Sequence, residues 1–382
     1  MPHPMPRPLS SGTVPRRRRW PAVLVGLVVL LAGLWSAAWY YGAGVAERTI
    51  AEWKAREAKA GRVYTCAAQT ISGFPFGIEI RCVDPGAELT STQPRLSLKA
   101  RDMVVSAQVW QPTVLTTEFV GPLTIAEPGQ APTMTATWRQ AQTRVHGLPI
   151  SPESVSIQIE QLAVDRVGDS EKLFKSDRLD LTGRLVSGTV QNNPVIETVL
   201  KLTAATAPYW HPAAATPVDA DITAVLHGLK DFSPKPWPQR FRELQAANGR
   251  IDIARARVQQ RDTIATANGA LGLSPAGRLN GDLRLTIANL EKLLPTLGLE
   301  KMLSQEQAPS QLNKTFGALD RIMPGLGNMA RQNAGPMIAA SVNLMGKPTE
   351  LEGQRAVLLP LKFDDGVASL GPLRLGETPP LF

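Results

Sequence analysis

Apolar and polar residues alternate along most of the chain after residue 84. Successive side chains of a β-strand point to opposite faces of the sheet, so this period of two predicts strands with one buried face. The pattern predicts strands at 95–100, 104–110, 154–164, 178–185, 220–228, 249–258, 277–287 and 337–345. Turns between them are supplied by 32 prolines and 31 glycines spread along the chain. The sequence therefore predicts a mainly β body built on a large antiparallel sheet.

One long apolar segment lies near the N-terminus. Residues 20–46 include no charged residue. As a helix rising about 1.5 Å per residue, residues 21–41 span about 30 Å, the thickness of a bilayer's hydrocarbon core. Aromatic residues, which favour the membrane–water interface, lie at both ends: Trp20 at one end, and Trp35, Trp39, Tyr40 and Tyr41 at the other. We predict a transmembrane helix over residues 20–46.

Four consecutive arginines at 16–19 precede this segment. Basic residues that flank a span stay in the cytoplasm, which makes residues 1–19 a cytoplasmic tail and the rest periplasmic. The protein is thus expected to be a single-pass protein of the inner membrane. A cleavable signal peptide fits the same basic and apolar regions, because Gly44-Val45-Ala46 has the pattern of a cleavage site. The length of the apolar run favours the anchor.

Helical patterns are few. The stretch 47–61 is rich in Ala, Glu and Lys and predicts an outward extension of the membrane helix that ends at Gly61. Other helical patterns occur at 237–249, 289–298 and 305–330. We expect these helices to cover a face of the sheet rather than to form a bundle.

The predicted periplasmic body, residues 62–382, is long enough for one large or two ordinary domains. Gly-Pro-Leu occurs at 121–123 and again at 371–373, each time after a strand-like run. This repeat is consistent with two related sheet units. Gly-Pro turns are common between strands, so a chance repeat explains it equally well.

The chain has two cysteines, Cys66 and Cys82. Each is eight residues from Phe74, so a hairpin that turns through Gly73, Phe74 and Pro75 places them directly opposite one another. Opposed residues lie within the Cα separation that a disulfide accepts, and an exported body is oxidised. We predict a disulfide that contributes about 3 kcal/mol by closing its loop. Redox pairs usually have C-x-x-C spacing and zinc needs four ligands, so both alternatives fit less well.

Charge argues against a nucleic-acid partner. The net charge is +8, but five arginines within the first 19 residues leave only +3 for the rest of the chain. A body this mildly basic lacks the electrostatic footprint of a nucleic-acid-binding protein. The partner that the sequence indicates is the inner membrane.

Motifs for catalysis are missing from the sequence. It has no Gly-rich phosphate loop, no H-E-x-x-H and no G-x-S-x-G, and its four histidines are isolated. Asp364-Asp365-Gly366 lies between strand-like runs, which predicts a hairpin turn rather than a pair of catalytic carboxylates. We predict no catalytic residue, no metal ligand and no cofactor, and hence a protein that is not an enzyme.

Four stretches resemble the domain-of-unknown-function family 2125: ISGFPFGIEIRC at 71–82, VWQPTVLTTEFVGPLTI at 109–125, LNGDLRLTIANLEKLLPTLG at 279–298 and LPLKFDDGVASLGPLRLGETPPLF at 359–382. The resemblance covers about 23–382 and implies an inner-membrane anchor in a Gram-negative bacterium, without an assigned activity or catalytic residues. The C-terminal pattern also resembles AsmA-like envelope proteins. That similarity implies a curved sheet whose apolar concave face handles lipid.

Two functions follow as hypotheses. In the first, a groove in the sheet binds lipid or another apolar ligand. Its lining residues alternate along two strands: Leu283, Leu285, Ile287, Leu359, Leu361 and Phe363. In the second, the protein is a structural or adaptor protein that binds envelope proteins and has no small-molecule ligand. A closed core has the same alternation as a groove, so the sequence leaves both hypotheses open. A periplasmic hydrolase fits least.

Overall fold

A computed structural model of the chain describes residues 20–289 and 346–382, apart from 91, 93, 149, 150, 170, 234, 371 and 372. The helices within these residues are α1 (Trp20–Lys59), a short 3-10 helix (Pro212–Ala215) and α2 (Trp237–Ala246). The predicted membrane helix and its extension form one continuous helix, α1, which Gly61 follows in the left-handed conformation at φ 78°. Helix α2 is confirmed, and it ends before Gly249 because Asn248 turns the chain at φ 50°.

The rest of the described chain is mainly strand. Strands β1 to β7 are Arg62–Thr65, Ala68–Ser72, Gly77–Val83, Gly86–Leu89, Leu96–Lys99, Asp102–Gln108 and Gln111–Val120. Strands β8 to β14 are Leu123–Ala126, Met134–Thr137, Gln140–His146, Ser154–Arg166, Lys172–Thr189, Asn192–Ala205 and Val218–His227. Strands β15 to β21 are Arg250–Gln260, Thr263–Leu273, Leu279–Ala288, Lys347–Leu351, Gln354–Asp364, Val367–Leu370 and Leu373–Glu377. The predicted strands that fall on described residues are all confirmed, several of them longer than the pattern indicated.

All of these strands belong to one antiparallel sheet. Strands β11 to β17 pair in chain order, and β17 then pairs with β19. The sheet forks at β11, whose N-terminal part pairs with β10 and whose C-terminal part pairs with β9. Gln161 lies between the two parts at φ 53°, where the pairing is interrupted. From β10 one branch continues through β7, β6, β3 and β2, and from β9 the other continues through β8, β5, β4 and β1.

The other end of the sheet also divides, because β18 and β20 pair with different halves of β19. Asp364-Asp365-Gly366 forms the predicted turn between β19 and β20, with φ of 45° at Asp365 and 84° at Gly366. The strand predicted at 337–345, the helix at 305–330 and all but the first residue of the helix at 289–298 lie outside the described residues. The arginines at 16–19 lie outside them as well.

The predicted register of the β2–β3 hairpin is wrong. The sequence predicts Cys66 opposite Cys82, but Gln69 lies opposite Cys82 and Ile71 opposite Ile80. The difference is three residues, an odd number, so it moves every side chain of β2 to the other face of the sheet. The observed register places Ile71 beside Ile80 on an apolar face, which the predicted register did not.

The turn explains the shift. Six residues, 73–78, lie between the last pair of the hairpin, Ser72 and Glu79, whereas the prediction used three, 73–75, before a pair of Ser72 with Phe76. The N–H groups of Phe76 and Gly77 both donate to the Gly73 carbonyl, at 3.1 and 2.9 Å. Gly73 has φ 104°, and a Cβ on it would lie 2.9 Å from the Gly77 carbonyl oxygen, so a residue with a side chain does not fit this turn.

The predicted disulfide is formed in spite of the different register. Cys66 lies between β1 and β2 and bonds to Cys82 of β3, with their Cα atoms 5.5 Å apart. The N–H of Ala67 donates to the Val83 carbonyl at 2.9 Å, which holds this connection against β3. Cys82 is only 1% exposed. The bond therefore ties the connection after β1 to an inner strand of the sheet.

Candidate functional site

The register places apolar residues in rows that cross the sheet. Residues directly opposed on neighbouring strands share a face, so a row can be followed from strand to strand. The central row is Ile157, Leu181, Leu200, Ile222, Ala256, Ala267, Leu285 and Leu359. A parallel row is Ile159, Leu179, Leu202, Ala220, Val258, Ala265, Ile287 and Val357. We call the surface formed by these rows the apolar face.

The apolar face continues onto the branch of the sheet that ends at β2. The central row runs from Ile157 through Thr143 and Thr117 to Val105 and Ile80. A third row is Val155, Val145, Leu115, Ala107 and Ile78. One side of the sheet is thus apolar from β3 to β19.

Most of the apolar face is only half-buried. Ile157, Leu181, Leu200 and Ile222 all keep part of their side-chain surface exposed. A sheet face packed against a second layer would bury such residues almost completely. Within the described residues, no second layer closes this part of the apolar face.

The six residues predicted to line a groove all lie on the apolar face. Leu283 pairs with Leu361 and Leu285 with Leu359, while Phe363 lies opposite Gly281. Their burial differs: Leu361, Leu285 and Phe363 are half-buried. Leu359 is 2% exposed, Ile287 6% and Leu283 8%. The β17–β19 end of the face is therefore packed at these three residues, and the more open part lies on β11 to β14, which the sequence analysis did not select.

The opposite face is mainly polar, apart from a buried cluster of Ile264, Ala288 and Ala356 on β16, β17 and β19. The row next to the central apolar row is Gln158, Asp180, Lys201, Asp221 and Arg257. Ion pairs cover it: Lys201 Nζ lies 3.8 Å from Asp221 Oδ2, and Arg257 Nε donates to Glu352 at 2.6 Å. The hydrogen bond from Arg257 lowers the pKa of Glu352. This face is the side of the sheet suited to water.

Helix α1 packs beside the β2–β3 hairpin through its aromatic residues. Trp35 Nε1 donates to the Pro75 carbonyl at 2.9 Å, and Trp39 Nε1 donates to the Gly77 carbonyl at 2.6 Å. The rings of Trp39 and Phe74 meet edge to face with centroids 5.6 Å apart. The turn 73–77 thus lies against the part of α1 that is apolar enough to span a membrane.

A cavity of about 360 Å³ lies between α1 and the sheet beside this turn. Trp35, Trp39 and Gly42 line it from the helix, and Ile78 and Ala107 from β3 and β6. Its lining is predominantly apolar, as in ligand pockets of similar volume. Since Ile78 and Ala107 also belong to the apolar face, the cavity adjoins that face directly.

A second cavity, of about 650 Å³, lies between α2 and the ends of β13 and β14. Glu243 of α2 lines it, and Lys235 Nζ donates to Glu243 Oε1 at 2.7 Å and to Asp231 Oδ2 at 3.1 Å. Hydrogen bonds from the Ser233 side chain, and then from Lys235, hold the pKa of Asp231 well below its usual range. Charged residues before and within α2 thus tie the helix to the loop that precedes it.

Few side chains of the described residues are placed together in a way that catalysis would need. His227 Nε2 lies 3.0 Å from Asp252 Oδ2, and both side chains are partly exposed. Among the described residues, no group of three or more His, Cys, Asp or Glu side chains is arranged to hold a metal ion. That the protein is not an enzyme remains a prediction.

The chain matches, over residues 39–379, the family described as "Uncharacterized protein conserved in bacteria (DUF2125)". No curated protein and no solved structure matches it, so the AsmA-like resemblance remains a prediction. The match covers α1 from its aromatic end, the hairpin with its disulfide, and the remaining strands of the sheet. The chain therefore belongs to the DUF2125 family of uncharacterised bacterial proteins.

Proposed function

We propose that this protein is a membrane-anchored protein of the bacterial cell envelope that binds lipid acyl chains, or another apolar ligand, along the apolar face of its sheet. The observation that carries the proposal is the partial exposure of that face on β11 to β14, at Ile157, Leu181, Leu200 and Ile222. Apolar surface left in water costs roughly 25 cal/mol per Å², and large apolar patches mark binding sites.

The dimensions of the face suit an acyl chain. The central row crosses eight strands, from β11 to β19, and neighbouring strands lie about 4.8 Å apart, so the row extends about 34 Å. The acyl chains of one leaflet fill about half of a hydrocarbon core roughly 30 Å thick. One extended chain therefore fits within the row.

The proposed location is the inner membrane, with the body in the periplasm. Helix α1 is long and apolar enough to cross a membrane, and the arginines at 16–19 precede it. The positive-inside rule then assigns the N-terminus to the cytoplasm. A disulfide in the body fits an oxidising compartment.

Photo-crosslinking tests the proposed binding. The full chain is reconstituted into vesicles that contain a phospholipid with a photoreactive acyl chain, and crosslinked peptides are mapped by mass spectrometry. We expect crosslinks to the apolar residues of β11 to β14. Leu200→Glu places a charge on the apolar face and should abolish these crosslinks while the fold is retained, because a partly exposed position tolerates polarity better than a closed core does.

Val199→Glu is the matched control. Val199 is the preceding residue of β13, is also half-buried, and lies on the polar face between Thr182 and Thr223. This variant should keep the crosslinks.

Leu361→Glu extends the test to the other end of the apolar face and should behave like Leu200→Glu. Leu359→Glu, two residues earlier at a 2% exposed position, should instead unfold the body by several kcal/mol, because it buries an unpaired charge. If Leu200→Glu unfolds the protein as Leu359→Glu does, and no lipid crosslinks to β11 to β14, the face is covered by protein. That outcome contradicts the proposal and favours the structural or adaptor function.

A further inference from the structure

We propose that the β2–β3 turn and the neighbouring β6–β7 turn insert together into the membrane beside α1, in the leaflet on the side of the body. The two turns, residues 73–77 and 108–112, are called the tip. The tip is an interaction surface for lipid in addition to the transmembrane helix. The inference does not require that the apolar face binds lipid.

The position of the tip along α1 sets its depth. Trp35 and Trp39 are 15 and 19 residues after Trp20, so at 1.5 Å per residue they lie about 22 and 28 Å above it. With Trp20 at one boundary of a hydrocarbon core roughly 30 Å thick, Trp35 and Trp39 lie about 8 and 2 Å inside the other boundary. Any tilt of the helix places them deeper.

Hydrogen bonds fix the tip at that depth. The Trp35 and Trp39 indoles donate to the carbonyl groups of Pro75 and Gly77, at 2.9 and 2.6 Å. Carbonyl groups within the hydrocarbon core need such partners, because no water is there to satisfy them. Contact between the Trp39 and Phe74 rings adds a third link between the helix and the turn.

The side chains of the tip are those that favour a membrane interface. Phe74 is 51% exposed, Phe76 65%, Val109 44% and Trp110 63%. Phe76 and Trp110 lie side by side, with ring centroids 6.4 Å apart, so the two turns form one aromatic surface. Aromatic residues concentrate at the headgroup level of membranes.

The tip and most of the strand residues next to it carry no charge. No Asp, Glu, Lys or Arg occurs in residues 67–78 or 103–117. Charged side chains are costly in a bilayer. The uncharged stretches extend five residues or more into β2, β6 and β7, roughly 15 Å at 3.3 Å per residue, but only two residues into β3, where Glu79 follows. The membrane-facing end of β2, β3, β6 and β7 is therefore compatible with contact with lipid.

The exposed aromatic residues Tyr209 and Trp210 do not have this setting. Tyr209 and Trp210, 48% and 76% exposed, follow β13 at the opposite end of the sheet. The Arg166 guanidinium lies 4.7 Å from the Tyr209 ring centroid, and His211 follows. Because Trp210 is as exposed as Trp110 and lies far from α1, it is a matched control for the tip.

Insertion of the tip would give an acyl chain a route from the membrane to the apolar face. This route rests on the proposed function, whereas the insertion itself does not. The cavity beside the tip is lined by Trp39 of α1 and by Ile78 and Ala107, which begin a row of the apolar face. An inserted tip places this cavity at the level of the lipid chains. An acyl chain could then pass from the leaflet to the sheet without crossing water.

Depth-dependent fluorescence quenching tests the insertion. Phe76→Cys, Trp110→Cys and Trp210→Cys are each labelled with an environment-sensitive fluorophore, under non-reducing conditions that keep the Cys66–Cys82 bond intact. The full chain is reconstituted into phosphatidylcholine and phosphatidylglycerol vesicles, with or without lipids that have a nitroxide on the acyl chain. We expect blue-shifted emission and loss of most of the intensity at positions 76 and 110, and unchanged emission at 210.

Two results overturn the proposal. In the first, the labels at 76 and 110 stay as exposed to water as the label at 210. In the second, all three labels are quenched alike, which means that the whole body lies on the membrane. Labels at two separate turns guard against a local folding defect of either variant. The same labels in Leu200→Glu should still be quenched, so failure of lipid binding by the apolar face and failure of tip insertion are distinguishable.

Discussion

At the scale of single residues, glycines in the strands allow β16 and β17 to approach closely. Gly269 and Gly281 have φ of 142° and 145°, values that residues with a side chain rarely adopt. A Cβ on Gly281 would lie 2.2 Å from the Ala270 carbonyl oxygen, and one on Gly269 would lie 2.2 Å from the Asp282 carbonyl oxygen. The sequence indicates a close approach at Gly281. The group that approaches Gly281 is the backbone of the neighbouring strand, β16.

Gly281→Ala should therefore destabilise the body by about 1–3 kcal/mol from the unfavourable φ alone, with a further loss from the contact with Ala270. Thermal unfolding followed by circular dichroism measures the effect.

Gly183→Ala is the control within the same sheet. Gly183 has ordinary strand φ, and its added Cβ would meet only the Ile196 side chain at 4.0 Å. This variant should be neutral or more stable by up to about 1 kcal/mol, since alanine restricts the unfolded chain. Equal loss of stability in both variants would contradict the role given to Gly281.

At the scale of elements, the β2–β3 hairpin shows which features of a hairpin its sequence pattern predicts and which it does not. Alternation in 77–83 predicts the strand, and Gly-Phe-Pro predicts the turn. The register depends on the number of turn residues and on the pairing of β3 with β6. In that pairing Ile80 lies opposite Val105, and Cys82 lies opposite Met103. Such long-range pairing leaves no trace in the local sequence.

The Cys66–Cys82 disulfide should stabilise the body by about 3 kcal/mol, because it closes a loop of about 17 residues in the unfolded chain. Cys66→Ser should lose that amount in urea unfolding. Cys82→Ser should lose somewhat more, because a hydroxyl group then replaces sulfur at a 1% exposed position.

The double variant Cys66→Ser/Cys82→Ser is the control for a shared bond. Its loss should match that of Cys82→Ser alone, since both variants lack the same bond. Losses that add up across the two positions would show that each cysteine acts independently. Thiol labelling of the unfolded, unreduced protein checks the bond directly and should find no free thiol.

At the scale of the whole molecule, α1 and the sheet form one unit. Trp53 of α1 stacks on Tyr64 of β1 with ring centroids 4.8 Å apart, and Lys54 Nζ donates to Gln69 Oε1 at 3.1 Å. Together with the Trp35 and Trp39 contacts to the β2–β3 turn, these links hold the sheet beside the helix from its apolar part to its polar end. The orientation of the sheet relative to a membrane therefore follows that of α1.

Reporter fusions test this orientation. A fusion after Gly61 should be active with a reporter that works only in the periplasm and inactive with one that works only in the cytoplasm. The reason is that basic residues next to a span, here the arginines at 16–19, favour the cytoplasmic side. Replacing these four arginines with glutamines is the control and should weaken the preference. Activity of the cytoplasmic reporter in the native chain would reverse the proposed topology.

The sequence by itself determined the helix, most of the strands, the cysteine pair and the family, because these depend on local periodicity and on residues close together in the chain. The alternation of Leu283, Leu285 and Ile287 also specified which residues share a face. Only the tertiary structure decided which of them are buried, since burial depends on neighbours that are distant in sequence. It likewise brought Trp35 and Trp39 to the turn at 73–77, some 40 residues away, and so placed the tip beside α1.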